Sequence, residues 1–181
     1  MFKEINTFDN VFLYSPNSLI ICDIDDTLLY FPNLNKNKYD EIFRYNTMFT
    51  NNSFLASYYT NLYWNKLILE TNAKHTDLNG FSRLILRINN FKSNLCFLTA
   101  RSGNPENITF TKNNFSQIGL DYNLFPVIYS SMTPKGNFIK SNINLNQYSQ
   151  IIFIDDLDTN LQNVYENFGT RIECYKFIKN I

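Results

Sequence analysis

Leu19-Ile20-Ile21-Cys22-Asp23-Ile24-Asp25-Asp26-Thr27-Leu28-Leu29 is the stretch on which the reading of this chain turns. An apolar run with the look of a fully buried strand passes into three carboxylates within four residues. Like charges this close repel one another, and a carboxylate at the margin of a core resists leaving water. A cation seated among the oxygens would relieve both penalties. Side chains alternate along a strand, so the spacing predicts that Asp23 and Asp25 point the same way, past the strand's carboxyl end. In an open α/β sheet that is the end at which ligands bind.

Working outward, strand-like runs recur at Leu95–Thr99, Val127–Ser130, Gln150–Ile154 and Arg171–Tyr175. With Ser18–Ile24 they predict a sheet of about five strands. Helical spacing covers Phe81–Phe91, Asn107–Ile118, Gly136–Ile143 and Thr159–Phe168, most clearly the first and last of these. Such alternation predicts the α/β class: a Rossmann-like, doubly wound parallel sheet with right-handed crossovers. One stretch breaks the rhythm. Between Tyr30 and Thr76 an Asn/Lys-rich connection leads into an aromatic segment, Ser53–Leu69. There Phe54, Leu55, Tyr58, Leu62 and Leu69 fall near helical spacing. A structureless loop of that length is uncommon in a compact domain, so the segment reads as a small, mostly helical insertion. Its aromatic band is expected to pack against the main domain rather than a membrane or a partner.

The 181 residues suit one domain with a sizeable core. Sixteen basic and sixteen acidic side chains cancel, which removes any global attraction to nucleic acid or an acidic membrane. No nucleic-acid partner is expected. Cys22, Cys96 and Cys174 sit in strand-like runs without metal-type spacing and read as reduced thiols. Residues 1–10 lack the apolar core of a secretory signal, and no apolar stretch approaches membrane-spanning length. A soluble cytoplasmic protein is the expectation. Abundant Asn, Phe and Tyr with scarce Ala and Gly are spread along the chain, a bias expected of an A/T-rich genome rather than a low-complexity tract.

Three further constellations join the first. Leu95–Thr99 ends in a hydroxyl followed by the backbone N–H groups of Ala100 and Arg101. Thr133-Pro134-Lys135-Gly136 places a lysine at the start of a helix, where the dipole already favours anions. Ile151–Ile154 runs into Asp155-Asp156, with Asp158 and Asn160 beyond. Each alone has an ordinary reading: a capped acidic turn, a strand-end Thr, a solvated Lys. Together, two strands delivering hard oxygen ligands without His or Cys suit Mg²⁺ rather than zinc. The whole set makes a phosphate site: a carboxylate nucleophile, a second carboxylate for proton transfer, a hydroxyl, a Lys and a divalent cation.

On these residues the chain resembles the haloacid dehalogenase superfamily, in its phosphatase branch. Asp23-Ile24-Asp25-Asp26-Thr27 matches that family's first motif, Thr99 its second, Lys135-Gly136 its third, and Asp155-Asp156 with Asn160 its fourth. The match spans Ser18 to about Phe168. The resemblance implies a Mg²⁺-dependent phosphatase in which Asp23 attacks phosphorus and forms an aspartyl-phosphate. Asp25 would protonate the leaving alcohol and later deprotonate the hydrolytic water. Thr99, the N–H of Ala100 and Lys135 would hold the phosphoryl group. Apart from the resemblance, Arg101 follows Thr99 at the same edge, where it could meet a substrate phosphate or carboxylate or else take a surface or helix-start role. Mg²⁺ would be bound by Asp23, Asp155, the backbone carbonyl of Asp25, and Asp156 directly or through water, with Asn160 orienting the loop.

The acid at Asp25 implies hydrolysis of an ester with an alcohol leaving group. The insertion resembles a C1-type cap over residues 33–77, leaving a core of 1–32 and 78–181 in a single domain 1–181. A phosphorylated small molecule or nucleotide is the expected substrate. A phosphatase of protein or polynucleotide ends, and a non-catalytic binding protein on the same scaffold, are the alternatives. No catalytic part falls to His75, the sole histidine. Asp26 is expected to cap the turn, and Asp158 to favour the amino end of the last main helix.

Overall fold

Short apolar runs leave few options for pairing, and in the computed structural model, which describes residues 2–179, they pair as parallel strands. The elements in chain order are β1 (Lys3–Ile5), β2 (Leu19–Cys22), β3 (Leu29–Tyr30), α1 (Lys36–Thr50), α2 (Ser53–Glu70), β4 (Lys74–His75) and α3 (Leu78–Asn90). Then follow β5 (Asn94–Thr99), α4 (Pro105–Gln117), β6 (Val127–Tyr129), α5 (Lys135–Asn142), β7 (Ile151–Asp155), α6 (Asp158–Phe168) and β8 (Glu173–Phe177). The main sheet has six strands in the order β1-β8-β7-β2-β5-β6. β1 is the strand beyond those expected. It has three residues, only Ile5 is buried, and its place comes from pairing with Tyr175–Phe177 at the sheet edge. So short a run carries no readable alternation.

β2 lies inside the sheet, with Leu19–Cys22 paired to Asn94–Phe97 on one side and Ile151–Ile154 on the other. Both of its faces are covered, which is why it reads as an unbroken apolar run. Leu19, Ile21, Cys96, Leu98, Ile151 and Phe153 form one core with Ile139 of α5 and Leu161 and Val164 of α6. On the other face Phe97 meets Phe81 of α3 at 6.2 Å and Phe115 of α4 at 5.2 Å between ring centroids. The sheet is therefore doubly wound. From β2 the chain builds β5 and β6 to one side, then crosses to lay down β7 and β8 on the other. The reversal falls between β2 and β7, where an open α/β sheet has its ligand crevice.

Residues 31–74 form a separate compact unit from the rest of the chain. It begins at Phe31 and ends at Lys74, against the expected 33–77. Thr76 and Asp77 are held by the main unit: Thr76 donates its N–H to the Leu28 carbonyl (3.0 Å), and the Asp77 carboxylate accepts from Thr7 and from the Phe8 N–H. Within the smaller unit α1 and α2 pack as a hairpin. Tyr39 donates to Asn61 (2.8 Å), Asn46 donates to Thr60 (2.9 Å), and the Tyr39 and Trp64 rings meet edge to face at 5.3 Å. The Asn-rich connection thus contains α1. Asn35 caps it, Asn51 ends it in the left-handed region (φ 47°), and Asn52 caps α2.

The three cysteines are buried and unbridged. Among the described residues no helix is long and apolar enough to cross a membrane.

Gly136 sets how closely α5 approaches α6. A Cβ placed there would lie 2.4 Å from the backbone oxygen of Asn163, and backbone cannot step aside. Gly136→Ala should therefore cost about 1–3 kcal/mol, the usual penalty of overpacking. Urea denaturation will test this, and an unchanged midpoint would mean that the two helices are free to part.

Candidate functional site

β2 ends at Cys22, but Asp23 stays keyed to the sheet through its N–H, which donates to the Ile154 carbonyl at 2.9 Å. Cys22 is level with Ile154, so the next step of register sets Asp23 beside Asp155. By strand alternation both side chains fall on the face that carries Ile21 and Phe153, the face covered by α5 and α6. Lys135 opens α5 on that face and is 2% exposed. Its ammonium donates to Asp155 Oδ2 at 2.7 Å and to Asp23 Oδ1, and it lies 5.9 Å from the Phe153 ring centroid. Asp155 is fully enclosed and also accepts from the Leu157 N–H (2.9 Å) and from Asn160 Nδ2 at both oxygens (3.0 and 3.1 Å).

Asn163 carries a role that the sequence pattern does not announce. Pro134 gives α5 no side-chain cap, and Asn163 Oδ1 substitutes from α6 by accepting the N–H groups of Gly136 (2.8 Å) and Asn137 (3.3 Å).

Asp23, Asp155 and Asp156 each offer an oxygen within 4.8 Å of the others. One ammonium faces three carboxylates. Burial, with the charges of Asp155 and Asp25, holds Asp23 well above the usual carboxylate range even though Lys135 pulls the other way. For Lys135 burial works against the charged form but is outweighed by Asp23 and Asp155, so its ammonium is held the more firmly charged. Burial first, then the charges of Asp155 and Asp26, raise Asp156 to about 7. Burial is the largest cause of both carboxylate shifts, and the crowding of carboxylates around one ammonium adds to it. A donor set of carboxylate oxygens alone fits a hard divalent cation.

The alternation expected through Asp25 stops where β2 stops. Beyond it the chain turns tightly, with the N–H groups of Leu28 and Leu29 both donating to the Ile24 carbonyl at 3.0 Å. Asp26 occupies the left-handed region (φ 59°), donates its N–H to the Leu29 carbonyl (2.7 Å) and pairs with Lys179. Asp23 and Asp25 consequently have cationic partners on different elements. Asp25 is paired with Arg101, beyond the end of β5, through Nε (3.0 Å) and Nη2 (2.5 Å). Arg101 is anchored in turn by Thr111 and Asn114 of α4, two residues without a sequence signal of their own. Thr99 is buried, and its Oγ1 accepts the Arg101 N–H at 3.2 Å.

A cleft of about 840 Å³ borders this centre, lined by Ala100, Thr133, Lys135, Leu157, Asn160 and Asn163 among others. A second cavity, of about 530 Å³, is lined by Tyr45, Phe49, Tyr59 and Tyr63 of the α1–α2 unit and has Glu41 as its lone carboxylate. His75 stands apart from the carboxylates, against Phe8 and Phe81. Its Nδ1 accepts the Asp77 N–H at 3.2 Å, and burial pushes its pKa down to about 4, so it is a neutral, half-buried residue. Asp158 pairs with Lys176 at 2.7 Å at the start of α6.

Removing the Lys135 charge should be costly. Lys135→Met strands two buried carboxylates, a loss of about 3–5 kcal/mol near neutral pH. Stability measured in urea should recover as pH falls and the carboxylates take up protons; an equal loss at pH 5 and pH 8 would refute the electrostatic cause. Asp156 supplies a second pH test. Its folded value of about 7 stands above the ordinary aspartate value of 3.8, so the stability carried by its proton is complete below about pH 4 and is lost as pH rises through 7. A cation binds the ionised group. Metal-free protein should therefore melt at falling temperature between pH 5 and 8, while the stabilisation by added Mg²⁺ grows over the same range. A Mg²⁺ shift that ignores pH would remove Asp156 from the cation site.

No protein-family model matches this sequence, and no curated protein matches it significantly. Solved structures do. A Thermotoga maritima protein assigned as a beta-phosphoglucomutase superposes with a TM-score of 0.53 at 9% identity, covering 91% of this chain and 87% of its own. The Legionella pneumophila effector Ceg4, solved with an N-terminal yeast Hog1p sequence, gives 0.48 at 10% identity, covering 94% and 91%. The first likeness, with the six-stranded parallel sheet, shows that the fold of this chain is the haloacid dehalogenase-like α/β fold.

Proposed function

We propose that this protein is a Mg²⁺-dependent phosphatase that hydrolyses a phosphomonoester of a small molecule or nucleotide through an aspartyl-phosphate on Asp23. The observation that carries the reading is the buried Lys135 ammonium bridging Asp23 and Asp155 at the point where the strand order reverses. A carboxylate at that position is enclosed, oriented by a fixed cation and short of positive charge. Those are the conditions in which a weak nucleophile is aimed at a phosphoryl group.

Asp23, Asp155, Asp156 and the backbone carbonyl of Asp25 would hold the cation. When bound, it offsets the repulsion between the nucleophile and the phosphate oxygens. Asp23 forms its bond to phosphorus as the bond to the ester oxygen breaks, and the Asp25 carboxyl group delivers a proton to that oxygen. Water then attacks the aspartyl-phosphate while Asp25 takes its proton, releasing inorganic phosphate and restoring Asp23. Thr99 accepts an N–H from Arg101 and retains its own proton for a phosphoryl oxygen, next to the N–H of Ala100. Lys135 keeps Asp23 pointed at the phosphorus, and Asn160, donating to both oxygens of Asp155, keeps that carboxylate turned inward. The insertion, 31–74, lies in the sequence between Asp25 and Thr99, where a cap governing access to the site belongs.

A panel of phosphate esters assayed with and without Mg²⁺ tests the proposal. Wild type should turn over at least one member in a Mg²⁺-dependent manner and Asp23→Asn none. Asp25→Asn should lose on the order of 10²-fold or more in kcat. Full activity in Asp23→Asn would reassign the nucleophile. Turnover confined to phosphopeptides or 3′-phosphorylated DNA would move the substrate to a macromolecule, and silence across the panel would leave the scaffold as a binding protein.

A further inference from the structure

Arg101 makes four side-chain hydrogen bonds where Lys135 makes two. Its side chain is 10% exposed, whereas that of its partner Asp25 is 44% exposed. Four of its five N–H donors are engaged. Nε and Nη2 take the two oxygens of Asp25, while Nη1 donates to Thr111 Oγ1 (2.9 Å) and Asn114 Oδ1 (3.0 Å). The guanidinium carbon lies 4.8 Å from the centroid of the Phe110 ring. Thr111 is itself fixed, its hydroxyl donating to the Asn107 carbonyl at 2.7 Å, and Asn114 is buried. One edge of a rigid fork is thus tied to α4, and the other is presented to a half-exposed carboxylate on a tight turn.

We propose that Arg101 is a positioning residue for proton transfer: it acts on the substrate through Asp25, by fixing the orientation of that carboxylate, and does not itself bind the substrate's phosphate. The inference rests on the phosphatase reading. An arginine that recognises a phosphate must offer its fork to it, and here the fork is closed on Asp25. Two parallel bonds fix the plane of a carboxylate as well as its distance, which a lysine, a compact point charge, cannot do. Orientation matters because a proton donor misplaced by a fraction of an ångström loses much of its advantage. Thr111 and Asn114 then matter to the chemistry from a distance, as the anchor of the fork.

The dependence on leaving group separates this role from binding and from mere stapling. An alkyl phosphate needs a proton on its departing oxygen, whereas p-nitrophenyl phosphate needs little help. Arg101→Gln should lower kcat on an alkyl phosphate by on the order of 10- to 100-fold, a share of the range for general acid–base catalysis, with KM nearly constant. The leaving-group dependence is read in kcat/KM, which reports the phosphoryl-transfer step apart from the hydrolysis common to both esters, and there the loss on p-nitrophenyl phosphate should be clearly smaller than on the alkyl phosphate. Arg101→Lys should behave like Arg101→Gln. In an Asp25→Asn background either change should add nothing, since the residue through which it acts is already disabled.

Thr111→Val, which keeps the shape and removes one anchor, should show the same leaving-group pattern at smaller amplitude and serves if the Arg101 variants fail to fold. A raised KM at constant kcat would make Arg101 a substrate ligand and overturn the proposal. So would equal losses on both esters that multiply with Asp25→Asn, the mark of a structural staple. Failure of the phosphatase reading would look different: no turnover of either ester by wild type with Mg²⁺, which overturns both.

Discussion

A single buried ammonium holds the centre of this molecule together. Lys135 is enclosed between Asp23 and Asp155, and each of the three belongs to a different element. Burying an ion pair is a poor way to gain stability, since desolvation consumes most of the attraction and an apolar trio of similar volume would often serve as well. Here the charges do not even balance, because Asp156 joins the same cluster. The arrangement makes sense as a site built short of positive charge. The fold supports that deficit with structure that has no other evident purpose: Gly136 lets α5 approach the backbone of α6, and Asn163 caps α5 where proline leaves it bare.

Topology explains why those charges meet. In a doubly wound sheet the two halves diverge at one point, and the strands on either side of it are β2 and β7. Their in-register pairing brings Asp23 level with Asp155, and alternation turns both toward the helices that follow β6 and β7. Lys135 needs only to stand at the first residue of α5 to fall between them. The site is thus a consequence of register. A one-residue slip of β7 against β2 would send Asp155 to the opposite face and leave Lys135 with one partner.

The same physics divides what was legible in the sequence from what was not. β2, β5 and β7, buried along nearly their whole length, announced themselves as continuous apolar runs; β6 and β8 are less enclosed but still readable, and β7 and β8 differ from the expected bounds by only one or two residues. β1 did not, because an edge strand of three residues owes its existence to its neighbour β8. α1 was hidden by its composition: none of its residues is buried, its half-buried side mixes Tyr39, Ile42 and Phe43 with Asn46, Thr47 and Thr50, and the asparagines that cap the helices resemble loop. Charged groups at strand ends were visible as clusters, but which cation serves which carboxylate was not. Strand alternation suggested a shared direction for Asp23 and Asp25. The turn after Cys22, with Asp26 in the left-handed region, breaks that alternation and carries Asp25 to Arg101. The partners of Arg101 on α4 depend on crossover packing, which local pattern does not encode.

Two carboxylates two residues apart therefore end in different surroundings, and the difference is the strongest argument for dividing their work. The Asp23 side chain is 8% exposed and tied to an ammonium from α5. Asp25 keeps 44% of its side chain open to solvent and is held by a planar fork from the other side of the sheet. A nucleophile benefits from a dry position beside fixed positive charge, where no water must be stripped from it during attack. A proton carrier needs the reverse: an opening to solvent through which its proton can be replenished, and an orientation that is fixed without being sealed. Under the proposed mechanism, exchanging the two positions would defeat both tasks. In the proposed mechanism the sequence Asp-Ile-Asp divides the labour because Asp23 is still keyed to β7 while Asp25 lies in the turn beyond β2, and a different cation meets each.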